Sequence, residues 1–509
     1  MDDKIIVSNR SALAAKYGSQ GVAKIKSAVN KLITADKKRG IGSRIIYLDD
    51  AKAMKKLGGS AVVDRRSARQ NKEAIDAIHR ATTPEYLLIL GATDVVPHQD
   101  MSNPMFDPPD DEDRYAYGDL PYACDAGYAR DVAKFKGPTR VVGRLPDLTG
   151  AREPSHLLAL LGVATKSRTR RVTDYASYFG LSTESWSKST EQSLFNVFGN
   201  ATAINLAPPR GPSHPAGRLA ALAHFINCHG GKADPSFYGE DAEETEQPEA
   251  LTSASIKGRI KAGAVAAVEC CYGAELYDSV TLSLPLPICQ HYLRQGAYAY
   301  FGSSTIAYGP SEGNGAADLV TQYFLLSILE GASVGRAALV ARQRFVQQTS
   351  ELDPADLKTL AQFSLLGDPS IHPAKLDTPT SVPRGMEIAV VQRRQRQERR
   401  EKLRAMGAFL QDTKPTASRK VRDAHCSATV RSALANIARE AGIGSKKEFA
   451  AFDVAAPRGA RRRGTKMVAM ASRYYVAVYR PKRGSGGSVA AVAKEVGGRI
   501  VGYRIYREK

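Results

Sequence analysis

Short apolar runs alternate, over the first 370 residues, with longer segments in which apolar side chains recur every three to four positions. Lys4–Ser8, residues 44–48 and Tyr86–Leu90 read as strands, the last stopping at Gly91. Between them, Val22, Ile25, Val29 and Ile33 space a helix over 21–36, and 71–80 reads as a second helix. A loop-rich stretch, 97–137, carries an acidic knot at Asp107, Asp110, Asp111, Glu112 and Asp113 before strand character returns at 140–146. The grammar then repeats. Strands are predicted at 172–179, 201–206 and 297–304, and helices at 190–198, near Gly217, at 284–295, 316–330 and 333–347.

Strand and helix in alternation predict an α/β fold of parallel sheets flanked by helices. The reading divides the chain into two tandem α/β subdomains, 1–150 and 151–373, and a Pro/Thr-rich linker, 374–385. A C-terminal module, 386–509, follows. Its predicted elements are a helix over 386–410, a second at 424–441, and strands at 449–454, 467–479 and 499–506.

Charge sharpens that division. The chain carries a net +20, and residues 381–509 hold 30 Lys and Arg against 10 Asp and Glu, which leaves the body neutral. A module so basic predicts its own partner. Three partners fit: nucleic acid, since cations meet phosphates and Tyr474, Tyr475, Tyr479, Tyr503 and Tyr506 could stack on bases; an acidic protein; or the rest of this chain, as an inhibitor. The six cysteines show neither CxxC pairs nor disulfide spacing, which predicts free thiols. No metal or cofactor pattern is present. No apolar run reaches the length of a membrane span, and the acidic amino terminus is unlike a signal peptide, so the expectation is a cytoplasmic protein without membrane contact.

Two apolar runs carry the candidate chemistry. One, 222–231, ends in His229-Gly230; the other, 262–274, ends in Glu269-Cys270-Cys271-Tyr272-Gly273. Side chains just past neighbouring parallel strands gather at the carboxyl edge of a sheet, where a histidine and a cysteine can form a base–nucleophile pair. Strand alternation sends Cys270 to the opposite face from Cys271, as a small buried residue. An acidic stretch, 240–249, follows His229, and Glu240, Asp241 and Tyr308 are the candidate substrate contacts. The acids predict either a solvated loop, a rim favouring Arg or Lys in the substrate, or a dock for the basic tail.

The ordered motifs resemble the gingipain family of cysteine peptidases, within the caspase-like clan. The likeness runs over roughly residues 4–373 and rests on several segments: Tyr86–Leu90 with Gly91, then Asp94-Val-Val-Pro97; Val142-Gly-Arg-Leu-Pro146; His229-Gly230; Cys271-Tyr272-Gly273; residues 296–304; and Leu366-Gly-Asp-Pro-Ser370. A caspase-type nucleophile stands two residues before a glycine, which Cys271 satisfies and Cys270 does not. The resemblance implies a Cys271/His229 dyad and backbone N–H groups of Gly230 and Cys271 as oxyanion donors. It implies an intracellular cysteine endopeptidase acting on selected proteins, with the basic module for recruitment or regulation, or a zymogen cut near the linker. The chain departs from the pattern at Ala92, where the family has Asp, and at Ser185-Trp186-Ser187, which lacks the specificity aspartate of Arg-directed members. The alternative is a catalytically silent scaffold, or a nucleic-acid-binding protein, on a peptidase fold.

Overall fold

A computed structural model describes residues 2–310, 313–376, 388–421, 426–444, 447–455, 472–481 and 487–509, with the backbone alone for 388–393. The linker expected at 374–385 lies outside these residues from 377 onward. So does the first part of the strand expected at 467–479.

Besides several short two- and three-stranded ribbons, the body has strands β1 (Lys4–Ser8), β2 (Ser43–Tyr47), β3 (Tyr86–Leu90), β4 (Val141–Leu145), β5 (Tyr178–Thr183), β6 (Ile204–Ala207), β7 (Ala223–Asn227), β8 (Val265–Val268), β9 (Ala299–Ser303), β10 (Tyr308–Pro310) and β11 (Phe363–Leu366). All except β10 form one ten-stranded sheet in the order β2-β1-β3-β4-β11-β9-β8-β7-β5-β6. The first five of that order run parallel to one another, as do the last five. The two halves meet antiparallel where β11 pairs with β9. The tandem α/β halves therefore share one sheet, and one hydrophobic core runs from Ile5 through Val268 to Leu366.

Local sequence accounts for the elements. β1 and β3 are buried at every position, as continuous apolar runs in a two-sided sheet should be. Helices α1 (Arg10–Lys38), α2 (Ala68–Thr82), α3 (Ser155–Lys166), α4 (Ser187–Phe198), α5 (Ile288–Arg294), α6 (Ala316–Leu329), α7 (Val334–Gln348) and α8 (Pro354–Gln362) surround the sheet. α1 packs on α3 and α3 on α5; α4 packs on α6 and α6 on α7. α8 is an element beyond those expected, and it has a strong start signal: Pro354 in its first turn and a reciprocal box between Asp353 and Asp356. The strand expected at 172–179 is displaced, because Val172–Tyr175 forms a 3-10 turn before β5.

Two motifs carrying the family resemblance prove to be buried ion pairs of the frame. Arg144, on β4, donates to both oxygens of Asp119 at 2.8 and 2.6 Å and to the carbonyls of Gly91 and Val96. Asp368, after β11, meets the Lys4 ammonium at 2.7 Å, and Asp36 meets it from the other side at 2.5 Å.

The C-terminal module begins with α9 (Ile388–Thr413), which lies along α7. Strands β12 (Thr416–Val421), β13 (Ala450–Ala455), β14 (Ser472–Tyr479), β15 (Val489–Val496) and β16 (Arg499–Glu508) and helix α10 (Ala428–Glu440) complete it. β15 was not foreseen: its Val-Ala-Ala-Val-Ala run has little strand propensity of its own and is held by ladders on both sides. Alternation on β14 decides how the module sits. Tyr475 and Ala477 face α10, while Tyr474, Val476 and Val478 join the core of the body. The sheet also borrows β10 from the body, giving the order β10-β16-β15-β14-β13-β12. Three of the five tyrosines named above, Tyr474, Tyr475 and Tyr506, are buried. The acidic knot receives the module: Lys447 pairs with Asp107 and Asp110, and the Arg480 amide donates to Asp110. Among the described residues no helix is long and apolar enough to cross a membrane.

Removing one partner of a buried, fully paired charge strands the other. Arg144→Met is expected to cost about 3–5 kcal/mol of stability, read from the midpoint of urea unfolding.

Candidate active site

Register brings the two apolar runs together. Ala223–Asn227 pairs in parallel with Val265–Val268 from Ala223↔Val265 to Ile226↔Val268, and the Glu269 amide adds one rung to the Ile226 carbonyl. Both strands therefore end at the same carboxyl edge. His229-Gly230 and Glu269-Cys270-Cys271 leave it side by side.

The contact is intimate. A Cβ placed on Gly230 would lie 2.0 Å from the Cys271 carbonyl oxygen, so no larger residue fits. Gly230 is thus pressed against the backbone of the segment that follows β8. Tyr272 takes a left-handed conformation at φ 53°. It is held there by its N–H to Thr305, by its hydroxyl to Asp113 at 2.9 Å, and by the turn bond from Gly273 N–H to Cys270 O. For a bulky residue such a conformation costs about 1–2 kcal/mol.

His229 lies on a short antiparallel ribbon, His229 opposite Tyr238, that folds the following segment back over it. Two residues beyond Tyr238 comes Glu240, with Oε1 3.3 Å from His229 Nε2. Glu240 is buried and also accepts from Ser185 Oγ at 2.7 Å and from Gln247. Burial pushes its pKa upward. The hydrogen bonds and charge from His229, Ser185 and Gln247 outweigh that and hold the carboxyl below its ordinary range. Trp186 packs against the imidazole at 4.3 Å between ring centres.

Glu240 therefore stands behind the histidine, not on a substrate rim. Its role could have been anticipated from the small-residue turn after His229, which makes a hairpin and brings a residue eleven positions on back to the ring. Asp241 is spent locally, accepting from the Thr245 and Glu246 amides. Tyr308 is buried; its hydroxyl donates to Asp111 at 3.0 Å, and its backbone pairs with Glu508.

The Cys271 thiol is buried and exchanges hydrogen bonds with the Ala307 peptide, accepting from its N–H at 3.1 Å and facing its carbonyl at 3.4 Å. The Cys271 backbone N–H, the expected oxyanion donor, donates to the main-chain oxygen of Lys509 at 2.8 Å. Cys270 and Cys228 are buried without exposed sulfur, as small apolar residues. Among the described residues no group of His, Cys, Asp and Glu is arranged to hold a metal.

No protein-family model matches the chain, and no curated protein matches it. A solved structure described as "Structure of Protease" is similar over 99% of this chain and 97% of its own, at 13% identity and a TM-score of 0.47. A likeness so distant carries no argument about chemistry.

Burial, then the nearby Glu508 carboxylate, push the Cys271 thiol well above its ordinary range. A raised pKa means less thiolate at neutral pH. Iodoacetamide is therefore expected to modify Cys271 in the intact chain more slowly at pH 7 than the partly exposed Cys426. Its rate should keep rising above about pH 8.5, where an ordinary thiol levels off; residue-resolved mass spectrometry over pH 6–10 checks this.

Proposed function

We propose that the protein is a caspase-like cysteine endopeptidase of the gingipain type, with Cys271 as nucleophile, His229 as base and acid, and Glu240 as the carboxylate that orients the imidazole. The observation that carries this reading is the pairing of β7 with β8, which delivers His229 and Cys271 to one edge with Glu240 behind the ring. Nε2 stands 3.3 Å from Glu240 Oε1, which leaves Nδ1 as the nitrogen to act as base.

The chemistry then follows. The Cys271 thiolate attacks the scissile carbonyl carbon, and the carbonyl oxygen takes the negative charge beside the Cys271 N–H. His229, having received the thiol proton, passes it to the leaving amine as the C–N bond breaks. Water, deprotonated by His229, hydrolyses the thioester and frees Cys271. The resemblance adds Gly230 N–H as a second oxyanion donor; such donors are each worth about 3 kcal/mol in the transition state.

Purified chain incubated with a peptide library varied at the residue before the cut tests the reading. Cys271→Ala and His229→Ala are each expected to lower cleavage by at least about 10³-fold. Glu240→Gln should lower kcat by more than about 10-fold while leaving KM near its starting value, because it touches the imidazole and not the peptide. Cleavage that persists in Cys271→Ala would assign the activity elsewhere.

A further inference from the structure

The segment Tyr506–Lys509 lies in the candidate cleft as a peptide substrate would. It pairs antiparallel with β10, Tyr308 opposite Glu508, Gly309 opposite Arg507 and Pro310 opposite Tyr506. β10 is the edge of its sheet, so the segment supplies that edge's partner. The pairing continues past the ladder: Lys509 N–H donates to Ala307 O at 3.0 Å, and Cys271 N–H donates to Lys509 O at 2.8 Å. The main-chain oxygen of Lys509 thus sits on the oxyanion donor, where the carbonyl oxygen of a substrate would lie. Strand addition of this kind gains affinity from the main chain and selectivity from side-chain pockets.

The pocket here takes the Lys509 side chain, which is 1% exposed. Its ammonium stands 3.3 Å from Asp318 Oδ1, 3.8 Å from Glu269 Oε2 and 4.5 Å from the centre of the Trp186 ring. Glu269 Oε2 is buried without a hydrogen-bond partner and faces this cation. Gly309 forms the entrance: a Cβ there would fall 2.0 Å from Lys509 Cε. Burial and the adjacent Asp318 push Glu269 well above the ordinary carboxylate range, with Lys509 acting against them. Two carboxyl groups packed together out of water call for a cation. The same segment brings Glu508 and additional burial to Cys271, both of which disfavour the thiolate.

We propose that Glu269 and Asp318, walled by Trp186, form the pocket for a lysine side chain immediately before the scissile bond, and that Tyr506–Lys509 fills this cleft in cis as a substrate-like inhibitory segment. The inference rests on the peptidase reading above for its chemistry. The pocket's acids come from positions other than the Ser185–Ser187 segment, which supplies only its aromatic wall. The rim at 240–249 contributes differently: Glu244 pairs with Arg507 at 2.8 Å and so helps to hold the segment down.

The test uses the full chain, wild type and Lys509→Ala, with iodoacetamide labelling of Cys271 and hydrolysis of fluorogenic peptides bearing Lys, Arg, Ala or Asp before the cut. Lys509→Ala is expected to raise the labelling rate at least about 10-fold and to raise turnover of the Lys peptide above the other three. Adding Asp318→Asn to that variant should lower the ratio of kcat/KM for the Lys peptide to that for the Ala peptide by at least about 10-fold. The free peptide Tyr-Arg-Glu-Lys, added to Lys509→Ala, should slow labelling again, which a merely unfolded variant would not allow. Equal labelling in wild type and Lys509→Ala, or no preference for Lys, overturns the proposal even where peptides are cleaved by Cys271. Faster labelling that the peptide reverses, with no peptide cleaved, supports the cis occupant and counts against the peptidase reading instead.

Discussion

Everything proposed for this chain depends on the parallel register between β7 and β8. A slip of one residue would turn every side chain of the shorter strand to the other face, and the residues that follow would leave the edge pointing elsewhere. The register is held because both strands are buried on both sides, inside a sheet whose other half is tied by ion pairs. Arg144 clamps the chain beyond β3 to β4, and Lys4 ties β1 to the turn after β11. The signatures that resemble a peptidase family thus divide into two kinds. Some carry the proposed reacting groups, and others fix the frame that aligns them.

The parallel sheet and the arrival of the His229 and Cys271 segments at one sheet edge were legible because they follow from periodicity and from the rule that chemistry gathers at carboxyl edges. Glu240 was visible only as one acid among several, since its role depends on a hairpin that returns it to the imidazole. Glu269 and Asp318 are separated by 49 positions and read in the sequence as a strand-end acid and a helix-start acid. Burial beside a shared cation gives them meaning, and neither charge pattern nor spacing encodes that. β15 escaped for a related reason: alanines do not announce a strand, and its neighbours make it one.

The basic C-terminal module changes most between sequence and structure. Its excess charge suggested a surface for an outside partner, yet one face of its sheet is apolar and buried on the body, and several of its cations meet acids of the same chain. Lys447 meets the acidic knot, Lys494 meets Glu351, and Arg507 meets Glu244. That docking carries β16 to the edge strand β10, and so brings Lys509 to Cys271. Inhibition within the chain, one of the three roles the composition left open, is the role this geometry supports.

The most direct measurement maps where a lysine-bearing acyloxymethyl ketone attaches in the Lys509→Ala chain, by tandem mass spectrometry. The reagent alkylates a thiol that can attack a bound carbonyl group and needs the basic pocket for recognition. A dominant adduct on Cys271 that His229→Ala abolishes is expected, with Cys426, the one cysteine that is not buried, modified only slightly. An adduct governed by exposure, with Cys426 labelled and Cys271 untouched, would contradict it.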